Sequence, residues 1–183
     1  MSIKQIGVVG AGTMGNGIAQ ACAVAGIPVV MTDIAQAAVD RGLKTIDGSL
    51  ERLVKKEKLT AEAKARAMGL VTAATDTAAL KDCDLIIEAA TENLELKLKL
   101  FAAIDGVAKP AAIIASNTSS ISITRLAAAT RRPDQVIGMH FFNPVPVMQL
   151  VELIRGLATS DATYAAVEAV TRQLGKTPVK VKT

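Results

Sequence analysis

The stretch GMHFFNPVPVMQLVEL, residues 138–153, holds two ionisable side chains in apolar company: His140, the one histidine of a 183-residue chain, and Glu152, twelve positions later. Imidazole ordinarily gains and loses a proton near neutral pH, which suits it to act as a general base or acid. A carboxylate on its other ring nitrogen fixes the tautomer and stabilises the imidazolium that forms. Hydrolytic triads share that logic, with a nucleophile added. On a strand, Glu152 shares a face with Leu150 and Ile154, where a carboxylate needs a partner. The pattern is compatible with a pair that takes up a proton. A lone histidine among apolar residues is equally at home in a structural role, so what the rest of the chain binds decides the matter.

A second group is the turn Gly10-Ala11-Gly12-Thr13-Met14-Gly15, a G-x-G-x-x-G. It follows an apolar run, opens a helical one and precedes a second apolar run ending in Asp33, which lies 18 residues after Gly15. In that order, the first glycine permits a tight turn. The second lets backbone approach a pyrophosphate, and the third lets helix and strand pack closely. The helix start offers unpaired N–H groups and a positive dipole end to phosphates. Asp33 is placed to accept hydrogen bonds from both ribose hydroxyls of an adenosine. It repels a 2′-phosphate, and Ile34 and Ala35 supply no cation to offset that. The expected cofactor is NAD rather than NADP. A plain glycine turn with a solvated aspartate is the bland alternative.

These groups need elements to hold them. Apolar runs over residues 3–9, 28–32, 70–74, 84–90, 111–115, 135–141, 150–154 and 178–181 read as strands. Helical content falls over residues 14–25, 35–59, 61–67, 94–107, 122–129 and 161–174, the first stopped by Gly26. In the long segment, Leu43, Ile46, Leu50, Leu53 and Val54 recur every three or four positions. Strands and helices alternating in this way predict an α/β fold: a Rossmann-type, doubly wound, mostly parallel sheet with helices on both faces. Runs such as DLIIEAA fit strands buried on both sides.

Composition narrows the partners. Half of the residues are hydrophobic, so a substantial core forms and disorder is not expected. Aromatics make up 2% and the net charge is +4 with dispersed basic residues, so nucleic acid is not an expected partner. No apolar run approaches the roughly 18 residues of a membrane span. Cys22 and Cys83 lack metal-ligand spacing, and no metal site is expected. The opening residues lack the regions of a secretory signal, so a reduced, cytoplasmic setting is expected.

Three further stretches are informative: ATENLELKLKLF (90–101), ASNTSSISIT (115–124) and HFFNPVPVMQLVEL (140–153). With the glycine turn they closely resemble the NAD-binding domain of the L-3-hydroxyacyl-CoA dehydrogenase family, and the bacterial 3-hydroxybutyryl-CoA members most in look. The resemblance runs from Ile3 to Val181. It implies NAD-dependent interconversion of a (S)-3-hydroxyacyl-CoA and a 3-ketoacyl-CoA. It implies His140 as general base, Glu152 as its partner and Ser119 at the substrate oxygen and nicotinamide end. Glu92, Lys97 and Asn143 would line the cofactor site, and Ser49 and Lys56, seven apart, would contact coenzyme A. Each has a plainer reading too: Ser119 as a cap for the helix at 122, Glu92 as a helix-start charge, Lys97 and Lys56 as solvated residues.

Family members continue past GKTPVKVK into a helical second domain that closes over the acyl chain and forms a dimer. This chain stops at Thr183, so residues 1–183 are expected to be the NAD-binding domain alone. Two other readings remain open. A 6-phosphogluconate-type β-hydroxyacid dehydrogenase shares the GxGxMG opening but lacks HFFNPVP. A non-catalytic NAD-binding or structural protein is the other, since some lens crystallins resemble this family.

Overall fold

In the computed structural model, which describes residues 2–182, four-residue apolar strands alternate with helices. In chain order they are β1 (Ile6–Val9), α1 (Thr13–Val24), β2 (Val29–Thr32), α2 (Gln36–Lys55), α3 (Ala61–Leu70), β3 (Val71–Ala74), β4 (Leu85–Glu88), α4 (Leu94–Val107), β5 (Ile113–Ser116) and α5 (Ile123–Ala128). Then come β6 (Val136–Phe141), β7 (Leu150–Arg155), α6 (Asp161–Gln173) and β8 (Thr177–Lys182). They form one sheet in the order β3-β2-β1-β4-β5-β6-β7-β8. All neighbours pair parallel except β6 and β7, which are antiparallel. The expected doubly wound, mostly parallel α/β fold is what is observed. The strand order reverses direction between β1 and β4, and open α/β sheets bind ligands at such a point.

Alternate strand residues feed two cores. Ile6, Val8, Met31, Ile87, Ala115, Met139 and Leu153 pack with α1, α2 and α6 on one face. Val9, Val30, Ile86, Ile114 and Val136 pack with α4 and α5 on the other. Cys22 and Cys83 are free thiols within these cores, and burial pushes both up to about 12, so they behave as small apolar groups.

Local chemistry sets where elements begin and stop. Thr60, Asn93, Ser122 and Ser160 cap α3, α4, α5 and α6 by accepting a backbone N–H three residues on. The long helix ends at Lys55 rather than near residue 59. Glu57 sits at φ 59°, Glu57 N–H donates to Val54 O, and Lys58 N–H donates to Leu53 O. That is a left-handed helix stop built without the glycine that would announce it. The first strand begins at Ile6 because the amides of Lys4 and Gln5 both donate to the Asp84 carboxylate. The fourth ends at Glu88, whose own carboxylate takes the Ala90 amide.

The last turn of α4 contains no basic residue. Arg132 supplies the cation from a distant loop. Its guanidinium donates to the carbonyls of Asp105, Ala108, Lys109 and Ala112 and to the Asp105 carboxylate. Asp105 is 6% exposed. Burial alone would raise its pKa, but the Arg131 amide and the Arg132 guanidinium outweigh that and hold it below the usual carboxylate range. A pKa depressed by folding means stability that is present above the ordinary carboxylate pKa and lost as pH falls through the lowered value. Arg132→Met should therefore cost about 3–5 kcal/mol at neutral pH, because it strands a buried carboxylate. In urea melts, the gap from wild type should narrow once the pH drops below about 4. A gap of unchanged size at low pH would remove Asp105 from the explanation.

Candidate active site at the carboxyl ends of the strands

The turn after β1 is shaped for a ligand to approach its backbone. Gly10 has φ +111°, and a Cβ there would lie 2.7 Å from Ala89 O. A Cβ at Gly15 would lie 1.8 Å from Gly10 O, so the turn and α1 close directly on each other. At Gly12, by contrast, a Cβ would meet nothing within 4 Å, and this N-cap residue of α1 has no side-chain cap hydrogen bond. The first-turn N–H groups of α1 are thus left for an anion, with Thr13 exposed and Met14 half-buried beside them. These residues fit a pyrophosphate-bearing cofactor. Asp33 lies at the tip of β2, and its Oδ2 accepts the Ala11 amide at 3.0 Å, which ties the turn to the second strand. Gly10 and Asp33 line a cleft of about 450 Å3 with Val9, Thr75, Thr91 and Lys99.

At the reversal point, Val9 of β1 is in register with Glu88 of β4. Glu88 is fully buried, as is Lys97 at 1% exposure. Lys97 Nζ donates to Glu88 Oε1 at 2.6 Å and the Ser116 hydroxyl donates to the same oxygen at 2.8 Å. Glu88 Oε2 accepts the Ala90 amide at 2.8 Å. The Thr118 amide in turn donates to Ser116 Oγ at 3.2 Å. Glu92, 60% exposed, bridges the same two loops by accepting from the hydroxyls of Thr118 at 3.0 Å and Ser120 at 3.1 Å. Expected along the cofactor cleft, Lys97 is instead enclosed beneath the loops, with Glu92 4.0 Å from its ammonium. Sequence reading missed Glu88, although a carboxylate inside DLIIEAA is the same signal that drew attention to His140.

The twelve-residue spacing of His140 and Glu152 becomes a direct cross-strand pairing, His140 on β6 opposite Glu152 on β7. His140 Nδ1 lies 2.9 Å from Glu152 Oε1. An ionised carboxylate only accepts, so in the neutral ring Nδ1–H is the donor and Nε2 carries the lone pair. The pair is less enclosed than expected: His140 is 18% exposed and Glu152 33%. The physical reason is the length of α5. A Cβ at Gly138 would meet Ile154 and Ile123, so this six-residue helix covers the sheet only that far. Beyond it, Glu152 shares the open face with Leu150 and with its register partner Val179, both exposed.

Ser49 and Lys56 line a second cleft of about 310 Å3, together with Arg52 between them on the α2 face. Thr13 and Gln20 of α1 and Asn143 to Val147 complete its lining. Asn143 thus joins the expected coenzyme A residues rather than the Asp33 cleft. Arg52 was not singled out from the sequence, where it is one charge in ERLVKKEKL. Ser119 is exposed in the loop after β5, and Ser122, not Ser119, caps α5. Among the described residues no helix is long and apolar enough to cross a membrane and no group of three or more potential ligands could hold a metal.

Comparison with known proteins bears on this arrangement. The family model for the 3-hydroxyacyl-CoA dehydrogenase, NAD binding domain, matches residues 5–183. A 3-hydroxybutyryl-CoA dehydrogenase of Bradyrhizobium diazoefficiens is 54% identical over 95% of this chain and 59% of its own length. A probable 3-hydroxybutyryl-CoA dehydrogenase of Deinococcus radiodurans is 50% identical over 96% of this chain and 63% of its own. The crystal structure of (S)-3-hydroxybutyryl-CoA dehydrogenase from Ralstonia eutropha superposes with a TM-score of 0.97 at 63% identity, covering 99% of this chain and 64% of that one. The chain therefore spans about three fifths of the length of these relatives.

The Glu88–Lys97 pair generates a stability expectation. Lys97→Met leaves a fully buried carboxylate without its cation and should cost about 3–5 kcal/mol in denaturant melts. Adding Glu88→Gln to it should recover part of that loss, because the unpaired charge is then gone. A double variant that loses the sum of the single losses would show that the two side chains are not coupled.

Proposed function

The chain belongs to the 3-hydroxyacyl-CoA dehydrogenase family, and from that premise we propose that it is the cofactor-binding part of an NAD-dependent (S)-3-hydroxyacyl-CoA dehydrogenase that interconverts 3-hydroxybutyryl-CoA and acetoacetyl-CoA. The observation that carries the reading is the His140 Nδ1–Glu152 Oε1 contact of 2.9 Å, on β6 and β7 of the same sheet. A non-catalytic binding protein has no need to hold an imidazole in one tautomer by a carboxylate.

In this reading, NAD supplies the acceptor for the hydride that leaves C3 of the substrate. The chain's own groups do the rest. His140 Nε2 takes the proton from the C3 hydroxyl, and Glu152 holds the ring and stabilises the imidazolium. Ser119 donates to the substrate oxygen. The free Asp33 oxygen accepts from the adenosine ribose, while Oδ2 stays with the Ala11 amide. Glu92, on the hydroxyls of Thr118 and Ser120, and Asn143, in the second cleft, complete the cofactor side of this reading. The Ser49 hydroxyl and the Lys56 ammonium receive coenzyme A in the second cleft, with phosphate drawn to the cation. Acyl-chain closure and dimerisation belong to the remaining length seen in the relatives. Two free, buried thiols accord with a cytoplasmic setting.

Turnover is best measured as NADH oxidation by acetoacetyl-CoA, with the chain extended to its relatives' full length. His140→Gln should keep NADH affinity and lower turnover by roughly 10²–10⁴-fold. Glu152→Gln should lower turnover as well, and the double variant should be little worse than His140→Gln, since both serve one proton transfer. Losses that multiply would place Glu152 in a separate role. Absence of turnover in the extended wild type would favour the non-catalytic reading.

Cofactor choice supplies an independent check. Asp33→Ser combined with Ile34→Arg should weaken NADH binding by roughly 1.5–3 kcal/mol and move preference toward NADPH. If the unchanged protein titrates with NADPH as tightly as with NADH, Asp33 does not select the cofactor.

A further inference from the structure

Lys176 opens the last strand segment and is 8% exposed. Its ammonium donates to two backbone carbonyls, Val145 O at 2.6 Å and Met148 O at 2.7 Å. Among the described residues no carboxylate pairs with it, and burial lowers its pKa. A buried ammonium without a counter-ion is costly, and a methionine would fill the same space without that cost. What the charge adds is geometric. Val145 and Met148 belong to one turn, in which Pro144 O accepts the amides of Val147 and Met148 at 3.0 Å. One cation drawing both carbonyls to itself fixes the attitude of that turn.

The turn matters because Asn143 to Val147 line the second cleft together with Ser49, Arg52 and Lys56. It also rests on α1. Val145 is 2% exposed, and a Cβ at Gly17 of α1 would stand 2.9 Å from Val145 Cβ, so the turn rests in a notch on α1. Val147 on the same turn is 69% exposed, so among the described residues no side chain encloses it from outside. The Gly17 notch and the Lys176 ammonium thus both hold the turn that lines the cleft. The Asp33 cleft draws its lining from none of these residues.

We propose that Lys176 is a positioning residue for the acyl-CoA site: its ammonium, held on the Val145 and Met148 carbonyls, sets the distance between the 143–147 wall and the Ser49–Lys56 face. The inference rests on the reading of the second cleft given above. It touches neither substrate nor cofactor and acts through the turn alone.

The test titrates this chain with NADH and, separately, with acetoacetyl-CoA. Lys176→Met should raise Kd for acetoacetyl-CoA about tenfold or more, since misplacement by about 1 Å reaches that scale, while Kd for NADH stays within about twofold. Lys176→Gln keeps two N–H donors, one for each carbonyl, and should fall between wild type and Lys176→Met; it also decides the matter if the methionine variant fails to fold. Lys56→Ala is the separate control on the cleft. If wild type does not bind acetoacetyl-CoA, or binds it equally after Lys56→Ala, the reading of the cleft falls and this inference with it. If Lys56→Ala weakens acetoacetyl-CoA binding but Lys176→Gln leaves it unchanged, or weakens both ligands alike, Lys176 alone loses its assignment.

Discussion

A single buried carboxylate holds the ligand-facing end of the sheet together. Glu88 stands where the strand order reverses, beside the end of β1, and gathers the Lys97 ammonium, the Ser116 hydroxyl and the Ala90 amide around its two oxygens. Removing a carboxylate and an ammonium from water costs several kcal/mol each, and their attraction offsets that only when remaining lone pairs are also satisfied. Here they are: among the described residues, no buried side-chain nitrogen or oxygen lacks a partner. The loops after β4 and β5 and the start of α4 thus hang on one group, and Glu92 and Ser119 ride on those loops. Their placement follows from the interior beneath them together with the Glu92 bridge to the Thr118 and Ser120 hydroxyls.

The two clefts are built by different means. The Asp33 cleft is built from the glycine turn, strand ends and the start of α4, with one carboxylate holding turn to strand. The second cleft is a side-chain face of α2 set against an irregular turn, and its width is a matter of tertiary anchoring. His140 and Glu152 stand on a third kind of support, an antiparallel strand pair whose register fixes their contact. Strand registers shift only in whole residues, so this contact is either made or absent.

Much of this was legible in the sequence because it is local. The glycine turn, Asp33 and the alternation of apolar runs each announce themselves within a few dozen residues. His140 and Glu152 were legible together because a short hairpin-like connection brings residues twelve apart into register. What escaped was non-local or unsignalled. Lys97 falls in a helical pattern where lysines usually face water, and its burial follows from Glu88, on the neighbouring strand. Arg132 caps a helix more than 20 residues upstream, which no spacing rule anticipates. Glu57 ends α2 in a conformation usually reserved for glycine. The half-exposure of Glu152 depends on how far α5 reaches, a length that composition does not encode.

The notch at Gly17 has a wider consequence. Helix α1 begins at the glycine turn and, five residues past Gly12, receives Val145 against its flank. One rigid body therefore serves as the datum for both clefts, and the gap between them is measured along it. A larger residue at position 17 would push the 143–147 wall outward while every polar group lining the Asp33 cleft stayed put. Such a position behaves as an adjustable spacer, through which a lineage could retune reach by a one-codon step and keep its chemistry intact.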